Sequence, residues 1–275
     1  MSEISTVKLN NGVPIPQFGF GVFQIEPAQT ADAVKTAFDA GYRHIDTAQM
    51  YRNEEGVGRA IADSGIPRDE IFVTTKLDND LHGHAEALKA IEESLDRLGL
   101  DHVDLFLIHW PRPKEDRYVE TWKAFEQILA DGRSRAIGVS NFQSAHLERL
   151  AAESDIVPAV NQIELHPRFP QAELRAHHRG HAIATQAWSP LAQGGDLLAD
   201  DRLTALAEKY GKTPAQIVLR WHIELGNIVF PKSVTPERIR ENIEVFDFEL
   251  AGDDVATIGE LETGTRIGPD PDEFG

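Results

Sequence analysis

Four residues in the first half of the chain carry groups that donate or accept protons, and each stands at the end of a short apolar run. Asp46 lies in HIDTA (44–48) with Tyr51 five residues on, Lys76 closes IFVTTKL (71–77), and His109 closes VDLFLIHW (103–110). They are a carboxylate, a phenol, an ammonium and an imidazole, the usual instruments of acid–base work. Taken singly, each has an ordinary explanation. An aspartate at a strand end often caps the next helix, a tyrosine before Asn53-Glu54 packs on a helix start, and a lone lysine is usually a solvated charge. A histidine between Ile108 and Trp110 is more often a satisfied core residue. Brought together at successive strand ends they are not explained by packing, because a charge pair there has no apolar reason to exist.

Whether they meet depends on the elements that carry them. Short β-branched or aromatic runs recur along the chain: FGFGVF (18–23), HIDTA (44–48), IFVTTKL (71–77), VDLFLIHW (103–110), AIGVSN (136–141), AVNQIEL (159–165), AIATQAW (182–188) and IVFPKS (228–233). Each is followed by a helical pattern, as in HAEALKAIEESLDRLG (84–99), where Ala87, Leu88, Ile91, Leu95 and Leu98 share a face and Gly99 stops the run. Strict alternation of strand and helix at intervals of about 30 residues implies parallel strands covered by helices. Eight such units in about 250 residues fit an α/β protein folded as a single (β/α)8, or TIM, barrel. An open doubly wound sheet would announce a dinucleotide site as G-x-G-x-x-G. Gly19-Phe20-Gly21 and Gly56-Val57-Gly58 both lack the third small residue. In a barrel the polar residues at the C-terminal strand ends gather at one mouth, so Asp46, Tyr51, Lys76 and His109 are expected to converge there.

Additions to the barrel are also expected. KLNNGVPIP (8–16) reads as an N-terminal β-hairpin around Asn11-Gly12 that plugs the barrel bottom. The long interval before the last strand holds two helical patterns, 201–211 and 214–226, one of them extra, and 263–275 reads as loop. With no linker or low-complexity tract, residues 1–275 read as one domain.

Bulk properties close several routes. The chain has 275 residues, 41% of them apolar, and no cysteine, so neither disulfide nor thiolate chemistry is open to it. Its beginning has no basic and apolar leader, and no run approaches the roughly 18 apolar residues of a membrane span. A cytoplasmic place is expected. A formal charge of −18 disfavours nucleic acid and anionic membranes as partners, so a phosphate ligand must be held by a local basic cluster.

Long, ordered motifs distributed over nearly the whole chain resemble those of the aldo-keto reductase family: GYRHIDTAQMYRNEEGVGRAI (41–61), TTKL (74–77), LIHWP (107–111), GVSNF (138–142), NQIELHP (161–167), SPLAQG (189–194) and PKSVTPERIRENIEVFDFEL (231–250). The resemblance is closest to the bacterial branch that includes 2,5-diketo-D-gluconate reductases. It implies reduction of aldehydes, ketones or keto-sugars by hydride from NADPH, with Asp46, Tyr51, Lys76 and His109 as the catalytic tetrad. On this reading Tyr51 is the proton donor. A phenol with a pKa of about 10 is a poor acid at neutral pH, and the Lys76 ammonium should lower it, with Asp46 holding the lysine charged. His109 should orient the substrate carbonyl.

The resemblance also assigns a cofactor site. Ser140, Asn141 and Gln162 should hold the carboxamide, Trp188 should stack on the nicotinamide, and Ser189, Leu191, Gln193 and Gly194 should wrap the pyrophosphate. Lys232, Ser233, Val234, Thr235 and Arg238 should bind the 2′-phosphate, where a capped helix start and two cations favour a dianion, with Glu241 and Asn242 near the adenine. No metal is expected. Two departures bear on specificity. Relatives in this branch often have tryptophan after K-L, where this chain has Asp78, and some carry arginine where Thr235 stands. The pocket is therefore expected to be lined by Phe23, Leu77, Asp78 and Trp110, to disfavour anionic keto-acids and to accept neutral dicarbonyls. The branch implies a monomer. Two competing readings are a poorly turning-over NADPH-binding redox sensor, and a metal-dependent barrel hydrolase or isomerase using His109 and His166.

Overall fold

The structure, a computed structural model, describes residues 4–274. The chain starts with an antiparallel hairpin of β1 (Thr6–Lys8) and β2 (Pro14–Pro16). Its turn is closed by Leu9 N to Val13 O at 2.9 Å, and Gly12 takes a φ of 89°, which suits glycine. Then strands and helices alternate: β3 (Phe20–Gly21), α1 (Pro27–Asp39), β4 (His44–Asp46), α2 (Glu54–Asp63), β5 (Phe72–Leu77), α3 (His84–Leu98), β6 (Val103–Ile108) and α4 (Tyr118–Ala130). They continue with β7 (Ser134–Ser140), α5 (Ser144–Glu153), β8 (Val160–Glu164), α6 (Ala172–Gly180), β9 (Ala184–Trp188), α7 (Asp201–Tyr210), α8 (Pro214–Glu224), β10 (Ile228–Val229), α9 (Pro236–Asn242) and α10 (Gly252–Gly259).

Strands β3 to β10 form one parallel sheet in sequential order. It closes on itself, because Phe18 bridges Val229 in parallel and Gly19 N donates to Val229 O at 2.8 Å. The expected eight-stranded barrel is therefore present, with both helices before the last strand and an additional α10. Among the described residues, no helix is long and apolar enough to cross a membrane.

Period-two alternation divides the buried residues into two layers. On β6, Leu105 and Leu107 face the barrel interior, while Phe106 and Ile108 join the layer between strands and helices. The interior group includes Leu9 and Ile15 of the hairpin with Phe72, Ala136, Ala159, Val160 and Ile228, so the hairpin floors the barrel. The outer layer packs Val73, Phe106 and Val139 against Ile91, Trp122, Phe125 and Leu150 of the helices. Gly56 and Gly58 serve this packing and no phosphate loop. A Cβ on Gly56 would lie 2.8 Å from Thr30 Cβ on α1, and one on Gly58 would lie 2.3 Å from Leu98 O on α3.

Candidate active site

Lys76 lies one residue before the end of β5, points into the barrel and is wholly buried. Its ammonium donates to Asp46 Oδ1 at 2.6 Å, to Thr47 O at 2.8 Å and to Tyr51 OH at 3.3 Å. Asp46 ends β4, and its other oxygen accepts from Gln162 Nε2 at 2.7 Å. Tyr51 ends a short 3-10 turn, 49–51, with its ring centroid 5.7 Å from that of His109, the residue after β6. Three strand ends thus deliver the four expected side chains to one place. Gln49 and Asn53 hold the turn. Gln49 Nε2 donates to Ala90 O at 2.8 Å and its Oε1 accepts from Asp78 N at 2.8 Å. Asn53 accepts from Thr47 Oγ1 at 2.9 Å and donates to Val22 O at 2.9 Å and Ile25 O at 3.2 Å.

The electrostatics follow from burial of a charged pair. Burial works against the Lys76 ammonium, but Asp46 and Tyr51 together hold its pKa above the ordinary lysine value. Burial raises the Tyr51 phenol and Lys76 pulls it back, leaving it above its ordinary value. The sequence leads one to expect a net lowering; desolvation of the phenolate outweighs the ammonium. His109 is held well below 6.5, first by burial and then by Lys76, so it is a neutral imidazole at pH 7. Its Nδ1 is buried without a partner.

The expected carboxamide residues cluster beside the tetrad. Ser140 Oγ donates to Gln162 O at 2.8 Å, and Asn141, with a φ of 63°, donates to His109 O at 3.0 Å. Asn141 Oδ1 accepts from Trp188 Nε1 at 2.8 Å, and Gln162 Nε2 also donates to Gln186 Oε1 at 3.0 Å. Gln186 Nε2 is buried without a partner, a donor that sequence reading missed. Beyond Trp188 the backbone has positive φ at Ser189, Ala192, Gln193 and Gly194, and Leu191 rests on the outer core. Ala192 N and Gly194 N donate within the loop, to Ser189 O at 2.9 Å and Leu191 O at 2.7 Å; left-handed backbone of this kind is suited to an anion. Lys232 and Arg238 are exposed and join no ion pair among the described residues, and Val234 is half-exposed. Ser233 Oγ accepts from Thr235 N at 3.1 Å, while Glu241 accepts from Thr213 Oγ1 at 2.8 Å and Asn242 is buried. Orphaned polar atoms beside the tetrad, with the unpaired cations Lys232 after β10 and Arg238 on α9, fit a nicotinamide dinucleotide.

One expected pocket residue is misplaced and another is altered. Leu77 does not line the pocket. Because Lys76 points inward, alternation sends Leu77 outward, where it is fully buried between sheet and helices. Asp78 stays at the rim, but it caps the turn that follows and pairs with Arg52 at 3.6 Å. Phe23 is half-exposed with its ring 5.0 Å from Tyr51, and Trp110 is covered by Phe274 at 4.5 Å. The sequence marked neither Phe274 nor Arg52. His166 Nε2 donates to Glu164 Oε1 at 3.1 Å, and no three His, Cys, Asp or Glu side chains converge as a metal site among the described residues.

Comparison with known proteins places this geometry. A family model described as the aldo/keto reductase family matches residues 17–263. The chain is 58% identical over 268 residues to a Mycolicibacterium smegmatis protein named aldo-keto reductase, covering 98% of this chain and 97% of that one. It is 49% identical over 276 residues to the methylglyoxal reductase DkgA of Escherichia coli, with 100% of both chains covered. A crystal structure of a Gox0644 variant in complex with NADPH has a TM-score of 0.96 and 46% identity, with 100% of both chains covered.

Proposed function

The chain belongs to the aldo/keto reductase family, and from that premise we propose that its substrates are small neutral aldehydes and dicarbonyls of the methylglyoxal kind, with Tyr51 as the proton donor. It is an NADPH-dependent oxidoreductase that reduces carbonyls to alcohols. The observation that carries the assignment is the buried Lys76 ammonium, 2.6 Å from Asp46 and 3.3 Å from Tyr51.

NADPH supplies the hydride when bound. Lys76 moderates the cost of forming phenolate in a buried place, so Tyr51 can release its proton to the nascent alkoxide. Asp46 keeps the lysine charged and oriented. His109, neutral, donates a hydrogen bond to the carbonyl oxygen and fixes it for attack. Asn141, Gln162 and Gln186 offer amides to the carboxamide, Trp188 offers its face to the ring, and the loop 189–194 offers backbone N–H groups to the pyrophosphate. Lys232, Ser233 and Arg238 suit the 2′-phosphate.

A carboxylate at the rim, Asp78, disfavours anionic keto-acids, although Arg52 tempers it. The same reading makes the protein a cytoplasmic monomer, as the resemblance to the bacterial branch implies.

The test follows NADPH and NADH oxidation with methylglyoxal, an aromatic aldehyde and a keto-acid, on the wild type and on Arg238→Ala. The wild type should turn over fastest with NADPH and the neutral dicarbonyl. Arg238→Ala should weaken NADPH by roughly tenfold or more, the worth of a charge-assisted contact, and NADH by at most a few-fold. Equal weakening of both would remove Arg238 from the 2′-phosphate, and no turnover with any carbonyl would overturn the reading.

A further inference from the structure

The end of β8 carries a buried carboxylate that the proposed chemistry does not use. Glu164 is 1% exposed and stands directly beside Trp188 in the register of β8 and β9. Its oxygens bond His166 Nε2 at 3.1 Å and accept from Ile267 N at 2.5 Å and Gly268 N at 2.8 Å. Burial alone would raise its pKa, but the imidazole and the two amides hold it below the usual carboxylate range. An ionised carboxylate in such a place is costly without donors, and here two of its donors come from the C-terminal tail about a hundred residues away.

That tail has no helix or strand, yet it follows a defined path over the barrel mouth. Thr263 N donates to Arg168 O at 3.1 Å, and the Arg266 guanidinium lies 4.6 Å from the centre of the Phe169 ring. Gly268 then passes the edge of Trp188 so closely that a Cβ there would lie 2.4 Å from Cη2 and 3.0 Å from Glu164 Oε2. The indole is thus held at two points. Asn141 takes the Nε1 end at 2.8 Å, and the backbone of Gly268 blocks the far end of the six-membered ring. Held only at Nε1, a tryptophan could still swing about that bond; held at both ends it keeps one plane.

We propose that Glu164 is a positioning residue for the cofactor: by clamping the amides of Ile267 and Gly268 it lays the tail against Trp188 and fixes the plane on which the nicotinamide stacks. The inference rests on the reading of Trp188 as the stacking face. Glycine at 268 belongs to the same device, since any side chain would displace either the indole or the carboxylate. The clamp also carries the tail on toward Phe274, which reaches Trp110 on the substrate side.

The test measures NADPH affinity by quenching of tryptophan fluorescence, with thermal midpoint, steady-state turnover and tryptic cleavage at Arg266 alongside. Glu164→Gln keeps the shape but turns an N–H toward a tail amide. It should weaken NADPH about tenfold and speed cleavage at Arg266, a loss of preorganisation. KM for methylglyoxal should change less than NADPH affinity, a split that general loosening of the fold would not produce. NADPH affinity within twofold of wild type in a folded Glu164→Gln protein overturns the proposal. If that variant does not fold, Gly268→Ala decides, because it leaves the carboxylate in place and pushes on the indole. Weakened NADPH supports the clamp, and unchanged affinity overturns it. Trp188→Ala separates the two readings: if it retains full NADPH affinity, the stacking assignment itself fails, whatever Glu164→Gln does.

Discussion

At the scale of the residue, the site is a buried ammonium shared between a carboxylate and a phenol. Tyr51→Phe removes the proton donor and leaves the Trp188 and Arg238 sides untouched, so turnover should fall by about two orders of magnitude or more while NADPH affinity holds within a few-fold. Stopped turnover assays beside fluorescence titration check this, and a variant keeping a tenth of wild-type turnover would take Tyr51 out of the role. Lys76→Met should be more damaging than His109→Gln, because the imidazole orients while the ammonium sets the phenol's acidity. Lys76 lowers a phenol that burial has raised, so removing it moves the pKa of Tyr51 further up. The alkaline limb of alcohol oxidation should therefore shift to higher pH, and an unshifted limb would break the coupling. Stability must be followed too, since Asp46 loses its buried partner at a cost of roughly 3–5 kcal/mol.

At the scale of the element, the turn that presents Tyr51 is held by Asn53, which ties Thr47, Val22 and Ile25 together. Asn53→Ala should lower turnover by about tenfold through misplacement of the phenol, with NADPH affinity nearly unchanged. It should also cost about 1–3 kcal/mol for the carbonyls left without donors. Normal turnover in that variant would mean the turn sets its own shape. The strands that bring Asp46, Lys76 and His109 together were legible because β-branched runs and helix punctuation alternate along the chain. Leu77 falls outside its expected place by alternation alone, since an inward Lys76 sends it outward; the full cover of β5, all six of whose residues are buried, was not legible. Nor was the role of the tail legible, because its fixed points are bonds to Glu164 from about a hundred residues away and leave no local pattern. Gly56-Val57-Gly58, set aside as a phosphate loop for lack of a third small residue, shows why a glycine pair alone says little: tight helix contact and phosphate binding both require a missing side chain.

At the scale of the molecule, burial holds several histidines neutral. It takes His44 and His82 down to about 4 and His178 and His222 down to about 3. The unfolded chain would protonate these imidazoles near pH 6.5, so below that value it binds more protons than the folded one. Their contribution is complete above about pH 6.5 and is lost as pH falls toward the folded values. Each such histidine should cost on the order of 1 kcal/mol per pH unit below about 6.5. Thermal midpoints should fall between about pH 6.5 and 5.5, before most carboxylates protonate, and a level midpoint there would mean that these side chains reach water. Strain is also distributed by side: of the described non-glycine residues with positive φ, all but Ala182 lie in loops at the mouth, including Arg52, Arg112, Asn141, Ser189 and Gln193. The opposite end is quiet and sealed by Leu9 and Ile15 of the hairpin. That seal makes the barrel a blind alley, and traffic in a blind alley has an order. If the nicotinamide lies on Trp188 as proposed, behind a carbonyl at Tyr51, the dinucleotide should arrive before its passenger and leave only after the alcohol has cleared the doorway, an order that product-inhibition kinetics would check.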